Sequence, residues 1–279
     1  MNTKMPVGMS DFKTVRETCY MVDKTEFICR LLDNHKSVTL FNRPRRFGKT
    51  LTMSMLDYFF SIDKKNISET LFDDLNIAKR SSSYMEHRGK YPVIFLSLKD
   101  FYTTTWESMY RSFRLFMQGV YAKYTYLLDS SRLSSFEKEG IQRILYLKVE
   151  PEEYQISLQR LAVLLYKHHQ IRPIILIDEY DAPLQRAYEQ HFYEEALPFW
   201  KGWFNATLKD NEVVYFAVMT GVLRIAKESI FSGLNNLDVF SVLNSQYSDV
   251  FGFTKSEIDT MALDLGCQDK IVEIKQWYD

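Results

Sequence analysis

The stretch "SVTLFNRPRRFGKTLTMSMLDYFFSI", residues 37–62, changes character twice. "SVTLFN" is a short β-prone run. "KTLTMSMLDYFFSI" carries apolar residues at Leu51, Met55, Tyr58, Phe59 and Ile62, the spacing of one helical stripe. Between strand and helix, Gly48, Lys49 and Thr50 match the second half of the phosphate-loop pattern G-x-x-x-x-G-K-[ST], and a strand–turn–helix context is what that pattern requires. Arg43 stands where the first glycine belongs, followed by Pro44, which has no N–H. An arginine does not take up a positive φ cheaply, so the loop entrance must differ from the common shape. Arg45 and Arg46 are candidates to meet phosphate directly, with water-facing surface arginines as the plainer alternative.

A working loop of this kind needs a partner. Backbone N–H groups at a helix N-terminus hold phosphate, the lysine adds charge and the hydroxyl serves Mg²⁺. A carboxylate at the end of a neighbouring buried strand completes the metal site, and a second one orients water. "IILIDE", residues 174–179, places Asp178 and Glu179 directly after four aliphatic residues. On this reading Lys49 binds the β and γ phosphates, Thr50 and Asp178 serve the metal, and Glu179 acts on water. Tyr180 and Asp181 stand behind them, although Asp181 before Ala-Pro also reads as the start of a turn.

Three more runs read as strands: "YPVIFLSL" (91–98), "EVVYFAVMTG" (212–221) and a weaker edge candidate, "LDVFSVL" (237–243). Helical spacing fills the intervals 105–128, 151–170 and 193–210, with Pro198 starting or kinking the last. Alternation of this kind implies βαβ units and a mostly parallel sheet. Thr254 and Glu257 form a capping-box pattern that starts a further helix. Thr220 lies at a strand tip where it would face a γ-phosphate, and Arg224 lies just beyond, placed to stabilise transition-state charge. The ordinary alternatives are a helix cap and a surface ion pair. His168 and His169, adjacent on one helix, diverge too much to chelate together and read as surface residues.

Composition bounds the rest. With 279 residues, 46% of them hydrophobic, the chain reads as a globular domain with a sizeable core. A net charge of -1 gives no general attraction to nucleic acid or an anionic membrane, so any such contact must be local. Three cysteines without C-x-x-C spacing argue for a reducing compartment and against a zinc site. The polar start and the lack of a long apolar run lead to the expectation of a cytoplasmic protein with no membrane partner.

Taken together, "GMSDFKTV", "YMVDKTEFI", "LFNRPRRFGKTLTMSML", "GKYPVIFLSLKD", "LIDEYDAPLQRAY", "FAVMTGVLRIAKESIFSGLNNL", "FGFTKSEI" and the terminal "WYD" resemble the bacterial AAA-ATPase-like family, over nearly the whole chain. Arg-Pro-Arg-Arg-Phe before Gly-Lys-Thr is that family's own form of the loop. The resemblance implies a P-loop NTPase fold, a three-layer α/β/α architecture whose mostly parallel sheet is of the additional-strand type. With strands numbered in chain order, the implied sheet order is 5-1-4-3-2. It implies an ATPase-like unit over residues 1–250, with the start of a helical lid or winged-helix-like region over 251–279. ATP and Mg²⁺ are the implied cofactors, and adenine is preferred over guanine by resemblance, no guanine-reading Asn-Lys-x-Asp element being evident. Phosphate contacts fall to Arg45, Arg46, Phe47, Gly48, Lys49, Thr50 and Leu51. Val22, Asp23 and Lys24 are placed near the adenine, Thr220 becomes sensor-like and Arg224 a sensor or finger. Family members continue past "WYD" into a PD-(D/E)XK nuclease-like domain, so the chain is expected to be C-terminally truncated relative to them. The functional alternatives are a nucleotide-regulated or degenerate interaction module with a protein partner or a second copy of itself, and the ATPase part of a nucleic-acid-processing system.

Overall fold

The computed structural model describes residues 3–34, 36–222, 231, 236–242, 244–271 and 273. Five strands form its sheet: β1 (Val38–Asn42), β2 (Val93–Ser97), β3 (Ile174–Asp178), β4 (Phe216–Gly221) and β5 (Leu237–Phe240). All neighbouring pairs are parallel, in the order β2-β3-β4-β1-β5. Read from the opposite edge this is 5-1-4-3-2, the order that the resemblance implied.

The inner strands β1, β3 and β4 are buried along their whole length because both faces of the sheet are covered there, whereas the edge strand β5 is only half-buried. Leu40, Ile94, Leu96, Ile175, Ile177, Ala217 and Met219 enter one core, with Phe113, Leu161, Trp200 and Trp203 from helices Trp106–Ala122, Ser157–His169 and Tyr193–Leu208. The alternate residues, Phe41, Val93, Ile174, Leu176, Phe216 and Val218, enter the other. There they meet α1 (Phe12–Thr18), α2 (Glu26–Asn34) and α3 (Lys49–Phe60) through Phe12, Phe27, Met53 and Phe59. Period-two alternation therefore sorts each strand between two layers of helices, and each large side chain so buried contributes about 1.5–3 kcal/mol.

Several helix boundaries differ from the expected ones. The 105–128 interval is a helix over Trp106–Ala122, capped reciprocally by Thr105 and Ser108, followed by a 3₁₀ turn over Thr125–Asp129. The 151–170 interval divides at Ile156 into Pro151–Gln155 and Ser157–His169. Helix Tyr193–Leu208 runs through Pro198 in its second turn, beyond the first position where proline is free of cost. His168 and His169 are half-buried rather than exposed. Nδ1 of His168 lies 2.8 Å from Ser130 Oγ, and Nε2 of His169 lies 2.9 Å from the Tyr126 hydroxyl.

The capping box at Thr254 and Glu257 does start a helix, Lys255–Asp264. That helix is tied to the main body: Phe251 is buried against Phe27 and Phe41, and Ile258 and Ala262 are buried on the helix itself. Among the described residues no helix is long and apolar enough to cross a membrane.

Parallel strands put all their C-terminal ends on one edge of the sheet. Asn42 ends β1, Gly221 ends β4 and Asp178 ends β3, with β4 lying between the other two. Ligands of open α/β sheets bind at this edge. The loop after β1 and the acids ending β3 are thereby brought to one place.

Candidate nucleotide site

The chain leaves β1 into a loop whose shape follows from where the backbone turns left-handed. Arg43 avoids that conformation; Arg46, at φ 68°, and Gly48, at φ 76°, adopt it instead. Gly48 does so at no steric cost, whereas Arg46 carries about 1–3 kcal/mol of local strain. Gly48 is also the N-cap of α3, with no side chain to satisfy the helix N-terminus. The first N–H groups of α3, at Lys49, Thr50 and Leu51, therefore have no intrahelical acceptor and are left for a ligand at the helix N-terminus. Arg45, Arg46 and Phe47 are exposed on that loop, and Leu51 packs partly against the core beneath it.

Lys49 is only 6% exposed. Its Nζ donates to two carbonyl oxygens of the loop, Pro44 at 2.8 Å and Arg43 at 3.1 Å. Burial lowers the pKa of this ammonium, while Asp178, Glu179 and Asp181 nearby act in the opposite sense. The Lys49 side chain is thereby held against the loop's own carbonyls.

Asp178 is fully buried, and each of its oxygens accepts from a different hydroxyl. Thr50 Oγ1 donates to Oδ2 at 2.6 Å, and Thr220 Oγ1 donates to Oδ1. The strand register accounts for the second contact, since Ile177 pairs with Met219 and Asp178 follows beside Thr220. One carboxylate thus joins the phosphate-loop helix, β3 and β4.

Glu179 lies in the left-handed region at φ 53°, and its side chain is half-buried. Burial, and then the charge of Asp178, raise its pKa above the ordinary glutamate value; Lys49 partly offsets this. Its carboxylate takes no hydrogen bond from the described residues. Asp181 is the N-cap of helix Ala182–Glu189, yet its side chain does not cap that helix. Its Oδ2 accepts instead from the Val222 N–H at 2.9 Å, across from β3 to the end of β4. The Ala-Pro sequence announces the turn but carries no signal for this second contact.

The side chains of the N-terminal trio have contacts of their own. Asp23 uses Oδ1 for Thr25 and Oδ2 for the Asn76 N–H, so it holds a turn. Lys24 Nζ contacts both Glu257 oxygens, at 2.6 and 2.7 Å, and the Asp249 carbonyl at 2.6 Å. Val22 and Asp23 line a cavity of about 580 Å³ together with Tyr20, Ser256, Glu257 and Asp264. Arg224 lies outside the described residues, as do residues 274–279, which contain "WYD".

Among the described residues no three His, Cys, Asp or Glu side chains cluster as a metal cage. The donor set at Thr50 and Asp178, one hydroxyl and one carboxylate, is made of hard oxygen atoms that suit a divalent cation sharing its other ligands with phosphates and water. Lys49, the helix N-terminus and these two oxygens together fit a metal-bound polyphosphate.

A five-stranded parallel sheet in this order, with a Gly-Lys-Thr turn leaving β1, defines a P-loop NTPase-like three-layer α/β protein. The chain belongs to the predicted AAA-ATPase family, whose AAA-ATPase-like model matches residues 6–231. It is also 28% identical over 283 residues to an uncharacterized protein in the vnfD 5' region of Azotobacter chroococcum mcd 1. That match covers 99% of this chain and 48% of the other, so the chain spans about half the length of the curated relative it matches. No solved structure matches it.

Proposed function

We propose that the chain binds ATP with Mg²⁺ through the loop at residues 43–51 and hydrolyses it. The observation that carries this reading is the meeting of Thr50 and Asp178 at 2.6 Å beside the buried Lys49 ammonium. Membership of the predicted AAA-ATPase family supports it.

In this reading the amides of Gly48, Lys49, Thr50 and Leu51 and the Lys49 ammonium hold the β and γ phosphates, while Arg45, Arg46 and Phe47 flank them. Thr50 and Asp178 hold Mg²⁺, which when bound neutralises phosphate charge. Glu179 has a raised pKa and a strained backbone beside Asp178, and it takes the proton of the attacking water. Thr220, hydrogen-bonded to Asp178, senses the γ-phosphate from β4. Arg224 stabilises charge from the segment beyond. Val22, Asp23 and Lys24 form the adenine side, the ATPase-like unit covers residues 1–250, and the lid begins at 251. The protein acts in the cytoplasm.

The test is phosphate release by the purified chain with Mg²⁺ and ATP, together with calorimetric ATP binding, for the parent and Lys49→Ala. Binding and turnover by the parent, both lost in the variant, are expected. Equal ATP affinity in the two proteins would refute the site. Binding without phosphate release would leave a nucleotide-regulated module in place of an ATPase.

A further inference from the structure

Arg43, at the position of the missing first glycine, is 2% exposed, and among the described residues it has no carboxylate partner. Burying a cation without a counter-charge carries a large desolvation cost, visible in the lowered pKa of its guanidinium. A leucine would fill the same space without that cost, so packing alone does not account for the residue.

Its donors do. Nη1 donates to the carbonyls of Asn42 at 3.0 Å and Phe240 at 2.8 Å, and Nη2 donates to the carbonyl of Tyr247 at 3.1 Å. The guanidinium carbon lies 5.4 Å from the centre of the Phe251 ring. Its backbone N–H donates to Gly221 at the end of β4. A single planar fork thus joins the end of β1, the end of β5 and the turn that follows, a geometry that lysine's point charge does not reproduce. The far side of the loop is tied to the same part of the chain. The Phe47 carbonyl accepts from the Gly252 N–H at 3.0 Å, and a β-carbon at Gly252 would lie 3.1 Å from the Phe47 ring.

We propose that Arg43 is a positioning residue: it sets the phosphate loop by fastening the loop's entrance to Phe240 and Tyr247, so that phosphate binding and the packing of residues 244–252 stabilise each other. The proposal rests on the reading of the loop as the ATP site and adds its regulation. Whatever displaces residues 244–252, a partner or a lid movement, loosens the loop, and ATP at the loop tightens those residues, because coupling between two sites is reciprocal.

The experiment compares the full chain with Arg43→Lys, Arg43→Ala and Ile141→Val, a core substitution remote from the loop that controls for lost stability. Affinity for Mg²⁺ and ATP is measured well below each melting temperature, and hydrogen exchange of peptides covering 244–252 is followed with and without ATP. Both Arg43 variants should bind ATP at least tenfold more weakly, and ATP should slow exchange over 244–252 in the parent and in Ile141→Val but not in the Arg43 variants. Should the Arg43 variants fail to fold, Gly252→Ala carries the test, since alanine at φ 75° strains the backbone of that segment and its methyl group presses on Phe47, without touching the arginine; the same tenfold loss is expected. Parent-like affinity in Arg43→Lys, or unchanged exchange over 244–252 when the parent binds ATP, would overturn the proposal. If the parent does not bind ATP at all, the reading of the loop fails first and the coupling fails with it.

Discussion

The Thr50 hydroxyl donates to Oδ2 of Asp178 at 2.6 Å although 128 positions separate the two in the chain, and Thr220 occupies the other oxygen of the same carboxylate. Asp178→Ala would leave two hydroxyls without their acceptor and is expected to cost about 1–3 kcal/mol of stability. Asp178→Asn keeps an acceptor but loses the charge. Urea unfolding should separate the two variants, while the Mg²⁺-dependent thermal shift with ATP, which reports ligand linkage, should vanish in both. A full shift in either variant would rule out Asp178 as the proposed metal ligand.

Glu179 supplies a test with a pH axis. Burial and the neighbouring Asp178 raise its pKa, so in the folded chain it holds a proton to higher pH than an ordinary glutamate does. A base must be ionised to take a proton, so with Glu179 as the proposed base turnover should rise as pH passes upward through that raised value, placing the acid limb above that of an ordinary glutamate. Glu179→Gln should bind ATP, lose about 100-fold or more in turnover and show no such limb. The stability sign is opposite. The folded state is penalised for the ionised form, so the parent loses stability as pH rises through the unfolded and then the folded pKa. The neutral glutamine should therefore melt no lower than the parent at neutral pH.

Gly221 ends β4 where the chain comes closest to the acidic tip of β3. A β-carbon there would lie 2.4 Å from the Tyr180 ring and 2.7 Å from Asp181 Oδ1. Neither neighbour is a loose chain end: Tyr180 is buried in the core, and Asp181 accepts from the Val222 N–H. Gly221→Ala should cost about 1–3 kcal/mol, as overpacking does, and should weaken any function that depends on the segment after β4. Chemical unfolding checks the first effect, and parent-like stability would show that Tyr180 can move.

The sheet was legible in the sequence because its signals are local. Four aliphatic residues before Asp178, a glycine closing "VYFAVMTG" and a helical stripe after Thr50 each mark an element without reference to the rest. The strand order came from the resemblance, since no residue in a strand names its neighbour. Interruptions within helices leave no such mark, as at Ile156, where the apolar spacing continues although the backbone does not. Within the site, Lys49, Thr50 and Asp178 stand out in the sequence as a set because their chemistry demands one another. In sequence the arginine in place of the first glycine shows only as an obstacle. Its acceptors are the backbone carbonyls of Phe240 and Tyr247, and carbonyls, which every residue has, leave no trace in sequence.

Lys24 and Glu257 are a second long-range pair of this sort. The ammonium touches both carboxylate oxygens, and the Oε2 atom also accepts from the Thr254 N–H at 2.7 Å, so one carboxylate serves an ion pair and a helix cap together. With side chains 15% and 24% exposed, the pair is shielded from salt more than a surface pair would be. A double-mutant cycle of Lys24→Met and Glu257→Gln, measured by urea unfolding without nucleotide, should give a coupling of about 1–2 kcal/mol. That value should change little between low and high salt. Coupling near zero, or coupling abolished by salt, would mean that helix Lys255–Asp264 is held by Phe251 and Ile258 alone.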